Sequence, residues 1–252
     1  MRKGISLVLL SLLATVQLWA EQSSVDVLRL MRLANDYFME TVPDPSLDSH
    51  TDKVRPSHIW TRGVYYEGLM ALYAIDSQQR YLDYTDWWAS SHDWAPRSAS
   101  TESAWKVHAD DQCCTQTFMT RYFMTGDERM YAKAKEDFDK EQARSQYQYW
   151  SWIDALQMAM PAYAMMYRIT GNRRYMDYAI NSYKWTRNTC GNGLFVGDKG
   201  LWWRDAKLVS SSEGYWSRGN GWVVAAQVRV MEQLDSLDEL SAQDKSDVES
   251  DF

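Results

Sequence analysis

Hydrophobic residues return at helical spacing along most of the chain. In residues 24–41 and 58–75 apolar side chains recur every three or four positions, which predicts helices with one buried face. Strand-like runs bounded by turn residues are nearly absent, except at residues 194–203, where a short hairpin is expected. The predicted class is therefore all-α. Helices are predicted near residues 24–41, 58–75, 78–91, 109–124, 127–143, 153–169, 172–188 and 219–234.

Three stretches of sequence align without a gap and mark turns between successive helices. They begin at Tyr73, Tyr122 and Tyr167 and read YAIDSQQRYLDYT, YFMTGDERMYAKA and YRITGNRRYMDYA. Spacings of 49 and 45 residues between them are typical of a repeated helical hairpin. The helix before each turn is the more apolar one, so inner and outer helices are predicted. The loops that lead into the inner helices should then gather at one face, where we expect the functional site.

Length and composition favour one domain with a large core. The 252 residues are 45% hydrophobic, and no internal stretch has the composition of a linker. Residues 1–20 start with Arg2 and Lys3, continue as an apolar run and end at Ala20, which is the layout of a secretory signal peptide. We therefore predict export to the periplasm or beyond, and no membrane association after cleavage. The predicted boundaries are 1–20 for the signal peptide, 21–234 for the helical domain and 235–252 for an acidic tail.

Charge and cysteine content exclude several classes of function. Nearly all of the formal net charge of −7 comes from the acidic tail, and a near-neutral body gives no support for nucleic-acid binding. The only cysteines are Cys113, Cys114 and Cys190, so no disulfide framework is present. Buried thiols are expected, with one bridge to Cys190 left open. No Cys or His spacing resembles a zinc site.

Four segments at the starts of the inner helices combine tryptophans with histidines, carboxylates and arginines. Asp110 and Asp154 lie twelve and thirteen residues before the Tyr of their own repeat, and Thr61 lies twelve before Tyr73. The repeat therefore predicts that these positions converge at one rim. The segments are HIWTRG (58–63), HADDQ (108–112), YWSWIDA (149–155) and YWSRGNGW (215–222).

This combination is what a sugar-binding site requires, because aromatic rings cover the apolar faces of pyranoses while polar groups fix the hydroxyl or acid groups. For any single tryptophan the alternative is core packing. Oligosaccharide is the predicted partner, and the oligomeric state is left open. The predicted substrate-binding residues are Trp60, His108, Trp152, Trp216, Arg218 and Trp222.

Asp154 and Asp110 are the predicted catalytic residues. Asp154 is flanked by bulky apolar residues, so burial should raise its pKa, although the start of a helix acts in the opposite direction. A raised pKa suits a proton donor. The alternative for Asp154 is a helix N-cap; Asp110 has the same alternative, or a metal-binding one.

Arg218 has a predicted role in recognising a substrate carboxylate, for which its forked guanidinium is suited. The alternative is a surface ion pair. Gly219 and Gly221 flank Asn220 in the same segment and leave room for a close approach of the backbone.

Taken together, HADDQ, WSWIDALQMAMP, GLWWRDA and YWSRGNGWVVAA resemble the unsaturated rhamnogalacturonyl hydrolases of glycoside hydrolase family 105, with the unsaturated glucuronyl hydrolases of family 88 as the neighbouring match. The similarity runs from about residue 25 to residue 234. It implies an (α/α)6 toroid of helical hairpins that removes a 4,5-unsaturated uronic acid from lyase-generated oligosaccharides. About four of six hairpins are expected in this chain, so the toroid should be incomplete.

The resemblance also implies an unusual reaction for a glycosidase. The vinyl ether between C4 and C5 is hydrated, and the anomeric carbon is not attacked. By motif position, Asp154 corresponds to the acid/base and Asp110 to the assisting carboxylate, while Trp216, Arg218 and Trp222 correspond to substrate contacts. No metal or organic cofactor is implied. Some family members carry a histidine near residues 203–205, where this chain has Trp, Arg and Asp.

Overall fold

The computed structural model describes residues 25–50, 53–97, 108–144, 146–212 and 214–235, and most of them are helical. Two compact units divide between Pro45 and Ser46. Helix α1, at residues 25–41, belongs to the first unit, and the remaining elements belong to the second. The predicted signal peptide at 1–20 lies outside the described residues, as does the predicted acidic tail apart from Asp235.

The all-α prediction is confirmed, and each predicted helix is present with its ends displaced by a few residues. One difference is that the helix predicted at 109–124 is divided in two at Cys113, whose own backbone is helical. The helices of the second unit are α2 (Trp60–Ile75), α3 (Gln79–Ser91), α4 (Ala109–Gln112), α5 (Cys114–Thr125), α6 (Arg129–Gln142), α7 (Asp154–Thr170), α8 (Arg174–Asn188) and α9 (Ser217–Asp235).

Two short antiparallel hairpins interrupt the helices. Strands β1 (Ser49–His50) and β2 (Val54–Arg55) form one that the sequence pattern did not reveal. Strands β3 (Phe195–Val196) and β4 (Leu201–Trp202) form the other, inside the predicted range 194–203. This second hairpin leads into the loop that carries Arg204.

The aligned repeats form the tight turns that the sequence predicts. Helices α5 and α7 end at Gly126 and Gly171, with φ of 73° and 67°, a left-handed conformation that glycine adopts at little cost. One residue later, Asp127 and Asn172 accept hydrogen bonds from the backbone amides at the starts of α6 and α8. The second and third repeats thus share the same capping geometry.

Inner and outer helices are also as predicted. Helices α2, α5, α7 and α9 contact one another in chain order and form an inner row, while α3, α6 and α8 each pack on the preceding inner helix. In α7 every residue from Ala155 to Met166 is buried, whereas α6 buries only about one face. The N-terminal ends of the inner helices lie together, which positions the residues of the candidate site.

A proline in the middle of α7 has a matched partner on α5. Pro161 has no amide hydrogen, so the carbonyl of Gln157 loses its partner within the helix. The buried side chain of Gln116 supplies the missing donor: its Nε2 donates to Gln157 O at 2.9 Å and to Met158 O at 3.3 Å. This side chain joins two inner helices where an unsatisfied buried carbonyl would be costly.

The three cysteines are free, buried thiols, and the bridge to Cys190 that the sequence left open is not formed. Over the described ranges, no helix is long and apolar enough to cross a membrane. The same residues contain no cluster of three or more His, Cys, Asp or Glu side chains that could hold a metal ion.

Candidate active site

The loop after β4 is joined to the start of α7. Ile153 N donates to Arg204 O at 3.0 Å, and an isolated antiparallel bridge pairs Trp152 with Asp205. Arg204 N in turn donates to Gly214 O at 2.9 Å. These backbone bonds bring Arg204 and Asp205 beside Asp154, the first residue of α7, although Asp154 lies about fifty residues earlier in the sequence.

The start of α9 is fixed to the same loop by Asn220. Its side chain donates to Trp202 O at 3.0 Å and accepts from Trp202 N at 2.8 Å. Gly219 lies so close to its neighbours that a Cβ there would be 2.6 Å from the Trp216 ring and 2.8 Å from Cδ1 of Ile153. A Cβ at Gly221 would contact nothing within 4 Å, so only Gly219 is packed closely against protein atoms.

Two cavities open beside these segments and share three lining residues, Trp60, Asp154 and Arg204. The first has a volume of about 450 Å³ and the second about 730 Å³. Asp154 therefore lies at their junction. The first is also lined by Asp110, Ser151, Trp152, Met158, Asp205, Ala206, Lys207 and Trp222, and the second by Leu208, Tyr215, Trp216, Ser217 and Arg218.

Asp154 has the environment of a proton donor. The pKa of Asp154 is raised to about 6, chiefly by burial; Asp110 and Asp205 also raise it, while Arg204 and Arg218 lower it. Its Oδ1 is buried and has no hydrogen-bond partner, so it does not cap α7 through its own side chain. The N-cap alternative for Asp154 is thus wrong, because Asp154 is the first helical residue and Ile153 occupies the cap position.

Asp110 lines the first cavity together with Asp154, as the repeat register predicts. Burial is the main cause that raises the pKa of Asp110; the adjacent Asp111 adds to it, and His108 acts against it. The N-cap of α4 is His108, whose Nδ1 accepts from Asp110 N at 3.3 Å. Because His108 occupies the cap position and Asp110 lies within α4, the capping alternative for Asp110 is wrong. The carboxylate of Asp110 is therefore available to the cavity.

His108 is not among the lining residues of either cavity. Its ring is tilted over that of Trp152 with centroids 4.7 Å apart, and its Nδ1 is 3.7 Å from Asp110 Oδ2. The side chain is exposed on its other side. His108 therefore contacts two lining residues, Trp152 and Asp110, and its predicted contact with substrate stays a prediction.

Three tryptophans and an arginine form the aromatic wall between the cavities. Trp222 makes edge contacts with Trp60 and with Trp216, at centroid distances of 5.9 and 5.8 Å. The guanidinium of Arg218 lies 4.3 Å from the Trp216 ring centre and 5.2 Å from that of Trp222. Stacking holds the exposed Arg218 in place by cation–π attraction. In the described part of the chain Arg218 has no carboxylate partner, so its ion-pair alternative is not supported.

Sequence reasoning missed several residues of the site. Arg204, Asp205 and Lys207 line the first cavity, and Arg204 also lines the second. They belong to the GLWWRDA motif and the residue after it, in the loop that leads into α9. They lie well before the start of that helix, whereas the repeat register assigns site positions only at the starts of the inner helices. The two adjacent tryptophans followed by charged residues were the available signal. Ser151, Met158 and Tyr215 are further lining residues without a distinctive pattern.

Residues 30–250 match Glycosyl Hydrolase Family 88. The chain belongs to this family. The four sequence motifs resembled family 105 first and family 88 second. Because the two families share the helical array, these motifs alone did not distinguish between them. A solved structure of a family 88 glycosyl hydrolase from Bacteroides vulgatus is 26% identical with a TM-score of 0.76, covering 90% of this chain and 65% of that one.

Two further relatives extend the comparison. An unsaturated 3S-rhamnoglycuronyl hydrolase from Alteromonas sp. (strain LOR) is 28% identical over 219 residues, which is 74% of this chain and 50% of the relative. A family 105 glycoside hydrolase structure from C. acetobutylicum shares the fold, with a TM-score of 0.54 and 17% identity over 77% of this chain and 57% of that one. This family 88 chain spans about half the length of the curated relatives it matches.

Proposed function

We propose that this chain carries the active site of a hydrolase that removes a 4,5-unsaturated uronic acid from the non-reducing end of lyase-generated oligosaccharides. The observation that carries the proposal is Asp154: a carboxyl group with a pKa of about 6 and an unpartnered buried oxygen, at the junction of two cavities. Membership of family 88 and the names of the relatives support this reaction class.

The chemistry follows from a vinyl ether placed against Asp154. The carboxyl group donates its proton to C4, which leaves a cation shared by C5 and the ring oxygen. Water adds to C5 and returns a proton to Asp154, which is thereby restored. The hemiketal opens by breaking the bond between C5 and the ring oxygen, and the resulting hemiacetal at C1 releases the next sugar. One water molecule is consumed, and no covalent enzyme intermediate is needed.

The surrounding residues have separate tasks in this proposal. Asp110 raises the pKa of Asp154 and, from the same cavity, helps to orient the water. Trp60 and Trp222 offer aromatic faces to the sugar ring. Arg204 and Arg218 oppose the raised pKa and supply positive charge for the uronate carboxylate.

The direct test follows the ultraviolet absorbance of the unsaturated sugar when the full chain is mixed with lyase-generated oligosaccharides. A rhamnose-linked unsaturated uronide is the first substrate to try, because of the name of the Alteromonas relative. The absorbance should fall with wild type and stay constant with Asp154→Asn. Asp198→Asn, which changes an exposed carboxylate outside both cavities, is the matched control. Saturable binding with constant absorbance would instead indicate a glycan-binding protein, and constant absorbance without binding would contradict both.

Export to the periplasm or beyond belongs to the same proposal, because its support is the pattern of residues 1–20 alone. Fractionation of cells expressing the full chain would test it. Recovery of the protein in the cytoplasm with residues 1–20 intact would contradict export.

A further inference from the structure

The carboxylate of Glu67, on α2, joins all four inner segments of the array. Its side chain is only 7% exposed. Oε1 accepts a hydrogen bond from Sγ of Cys113, between α4 and α5, at 3.2 Å, and Oε2 accepts from Nε2 of Gln157, on α7, at 3.1 Å. Oε2 also pairs with Nη1 of Arg229, on α9. These four residues, the Glu67 cluster, therefore connect every helix that contributes a residue to the site.

Each member of the Glu67 cluster follows a cavity-lining residue on its own helical segment. The offsets are three residues in two segments and seven in the other two, and both offsets return to the same face of a helix. The pairs are Asp110 and Cys113, Asp154 and Gln157, Trp60 and Glu67, and Trp222 and Arg229. The cluster therefore lies on the same helix faces as the site, about 5 Å further along two segments and about 10 Å along the others.

Helices α2 and α9 are the first and last of the inner row, and the Glu67 cluster links them a second time. At the site, the rings of Trp60 and Trp222 are in edge contact with centroids 5.9 Å apart. Two turns further along both helices, the ion pair of the cluster joins them again. Helix α2 also lies close to the start of α5, where a Cβ on Gly63 would be 2.9 Å from Sγ of Cys113.

A buried carboxylate makes this junction sensitive to displacement. Burial raises the pKa of Glu67, and Arg229, Cys113 and Gln157 act against that shift. Moving one helix away would leave the carboxylate partly without partners, which is costly in a buried position. The amide of Gln157 also has one suitable orientation, because turning it around would bring its oxygen against the carboxylate. The cluster therefore tolerates little relative movement of the four segments.

We infer that Glu67 is a positioning residue of the proposed reaction, which sets the placement of its two carboxylates, Asp110 and Asp154, against the aromatic wall. Glu67 is not among the lining residues of either cavity, so it acts through the residues that are. This inference rests on the proposed function, because it takes the reacting groups from there. A displacement of about 1 Å at a reacting group can lower a rate about 100-fold, so the effect is expected mainly in kcat.

Two substitutions separate the reach of Glu67 from its charge. Glu67→Asp keeps the charge but is one methylene shorter, so it cannot reach all three partners together. Glu67→Gln keeps the reach: its oxygen can replace Oε2, which accepts from both Gln157 and Arg229, and its amide can donate to the sulfur of Cys113. In the full chain, with the unsaturated uronide as substrate, kcat per folded molecule should fall at least about tenfold in Glu67→Asp. It should stay close to the wild-type value in Glu67→Gln.

The pH dependence of kcat/KM gives a readout that a loss of stability alone would not change. Asp110 contributes to the raised pKa of Asp154. If the shorter side chain lets these two carboxylates move apart, the pH at which kcat/KM declines should be lower in Glu67→Asp than in wild type. Glu67→Gln should keep the wild-type profile.

The matched control is Asp86→Asn, which removes the charge from another ion pair between helices. Asp86, on α3, accepts two hydrogen bonds of 2.7 Å from the buried Arg121, on α5. Neither residue is among those that line the two cavities. Asp86→Asn should lower the Tm and leave both kcat and the pH profile unchanged. If Glu67→Asp does not fold, Arg229→Gln breaks the cluster at its partly exposed member and should show the same loss of kcat.

A wild-type kcat in folded Glu67→Asp, or in Arg229→Gln if it replaces that variant, overturns the inference. An equal loss of kcat in Asp86→Asn overturns it as well, because the loss would then follow from stability alone. Glu67→Gln as slow as Glu67→Asp would show that the charge matters and the reach does not, which also contradicts a positioning role. Failure of the proposed function looks different, because wild type would then leave the double bond of the substrate intact.

Discussion

The side chain of Asn220 makes reciprocal hydrogen bonds with the backbone of Trp202, accepting from its amide at 2.8 Å and donating to its carbonyl at 3.0 Å. The same side-chain nitrogen is 3.0 Å from Trp216 O. Asn220 therefore holds the end of β4 against the start of α9. Trp202, the last residue of β4, is two residues before Arg204. One polar side chain outside the cavities thus fixes the relative position of Arg204 and Arg218.

Asn220→Asp tests this arrangement with almost no change in size. The carboxylate can still accept from Trp202 N but cannot donate to the two carbonyls, so we expect a loss of roughly 1–3 kcal/mol in the free energy of unfolding. Turnover of the unsaturated sugar should fall with it, because Arg204 and Arg218 lose their common anchor. Urea denaturation and steady-state kinetics measure the two effects. Asn188→Asp, an exposed change at the end of α8, is the control, and equal behaviour of the two variants would contradict the anchoring role.

The raised pKa of Asp154 predicts how activity depends on pH. The proton donor must be protonated, so kcat/KM should decline as the pH rises through about 6. Replacement by Asn should lower kcat by at least about 100-fold, the usual contribution of a general acid. A kcat/KM profile that stays flat between pH 5 and 8 with wild type would contradict this assignment.

The same carboxyl group makes stability depend on pH. Its pKa is about 6 in the folded chain and about 3.9 in an unfolded one, so the folded state binds the proton more tightly. The resulting stabilisation is complete below the unfolded pKa and is lost as the pH rises through about 6. Asp154→Asn should therefore have nearly the wild-type Tm at pH 4 and a higher Tm at pH 8. A difference in Tm that is the same at both pH values would disprove the raised pKa.

The site positions that follow from helical periodicity were predictable, and those that follow from loop pairing were not. Asp110 and Asp154 lie twelve and thirteen residues before the Tyr of their repeats, so the register alone brings them to one rim. Arg204 and Lys207 reach the cavities through backbone bonds between Arg204 and residues 153 and 214. Such pairing joins segments that are far apart in sequence, and helical periodicity does not predict it.

Gly219 and Gly221 form a matched pair of glycines in α9. Gly219→Ala should destabilise the chain by about 1–3 kcal/mol and lower turnover, because the new methyl group overlaps the Trp216 ring and Ile153. Gly221→Ala should stabilise it by about 0.5–1 kcal/mol, because its Cβ meets nothing and alanine is the better helix former. Thermal unfolding of both variants decides this. Equal shifts for the two would rule out a close approach at Gly219.

Gln116 and Pro161 form a pair whose coupling can be measured. Gln116→Leu leaves the Gln157 carbonyl without a donor and should cost roughly 1–3 kcal/mol. Pro161→Ala restores an amide hydrogen inside α7, so the same Gln116 change should cost less in that background. A double-mutant cycle by urea denaturation measures the difference. Additive costs would show that Gln116 does not compensate for the proline.

The helix pattern predicted α7 although its sequence contains Pro161, because apolar periodicity continues on both sides. What periodicity could not reveal is the donor from another helix that makes the proline tolerable. Likewise Asn220 reads as an ordinary polar residue between two glycines, and only its bonds to Trp202 explain its position. In both cases the sequence specifies a helix, whereas the hydrogen bonds of one polar side chain specify how that helix is placed.

The most direct test of the central claim uses an unsaturated disaccharide in which sulfur replaces the glycosidic oxygen. Hydration at C4 and C5 does not involve that bond, so wild type should remove the ultraviolet absorbance of the sulfur-linked and oxygen-linked substrates at similar rates. Asp154→Asn should remove neither. If the oxygen-linked disaccharide is cleaved while the sulfur-linked one keeps its double bond, the reaction occurs at the anomeric carbon, and the role of Asp154 as the proton donor to C4 is contradicted.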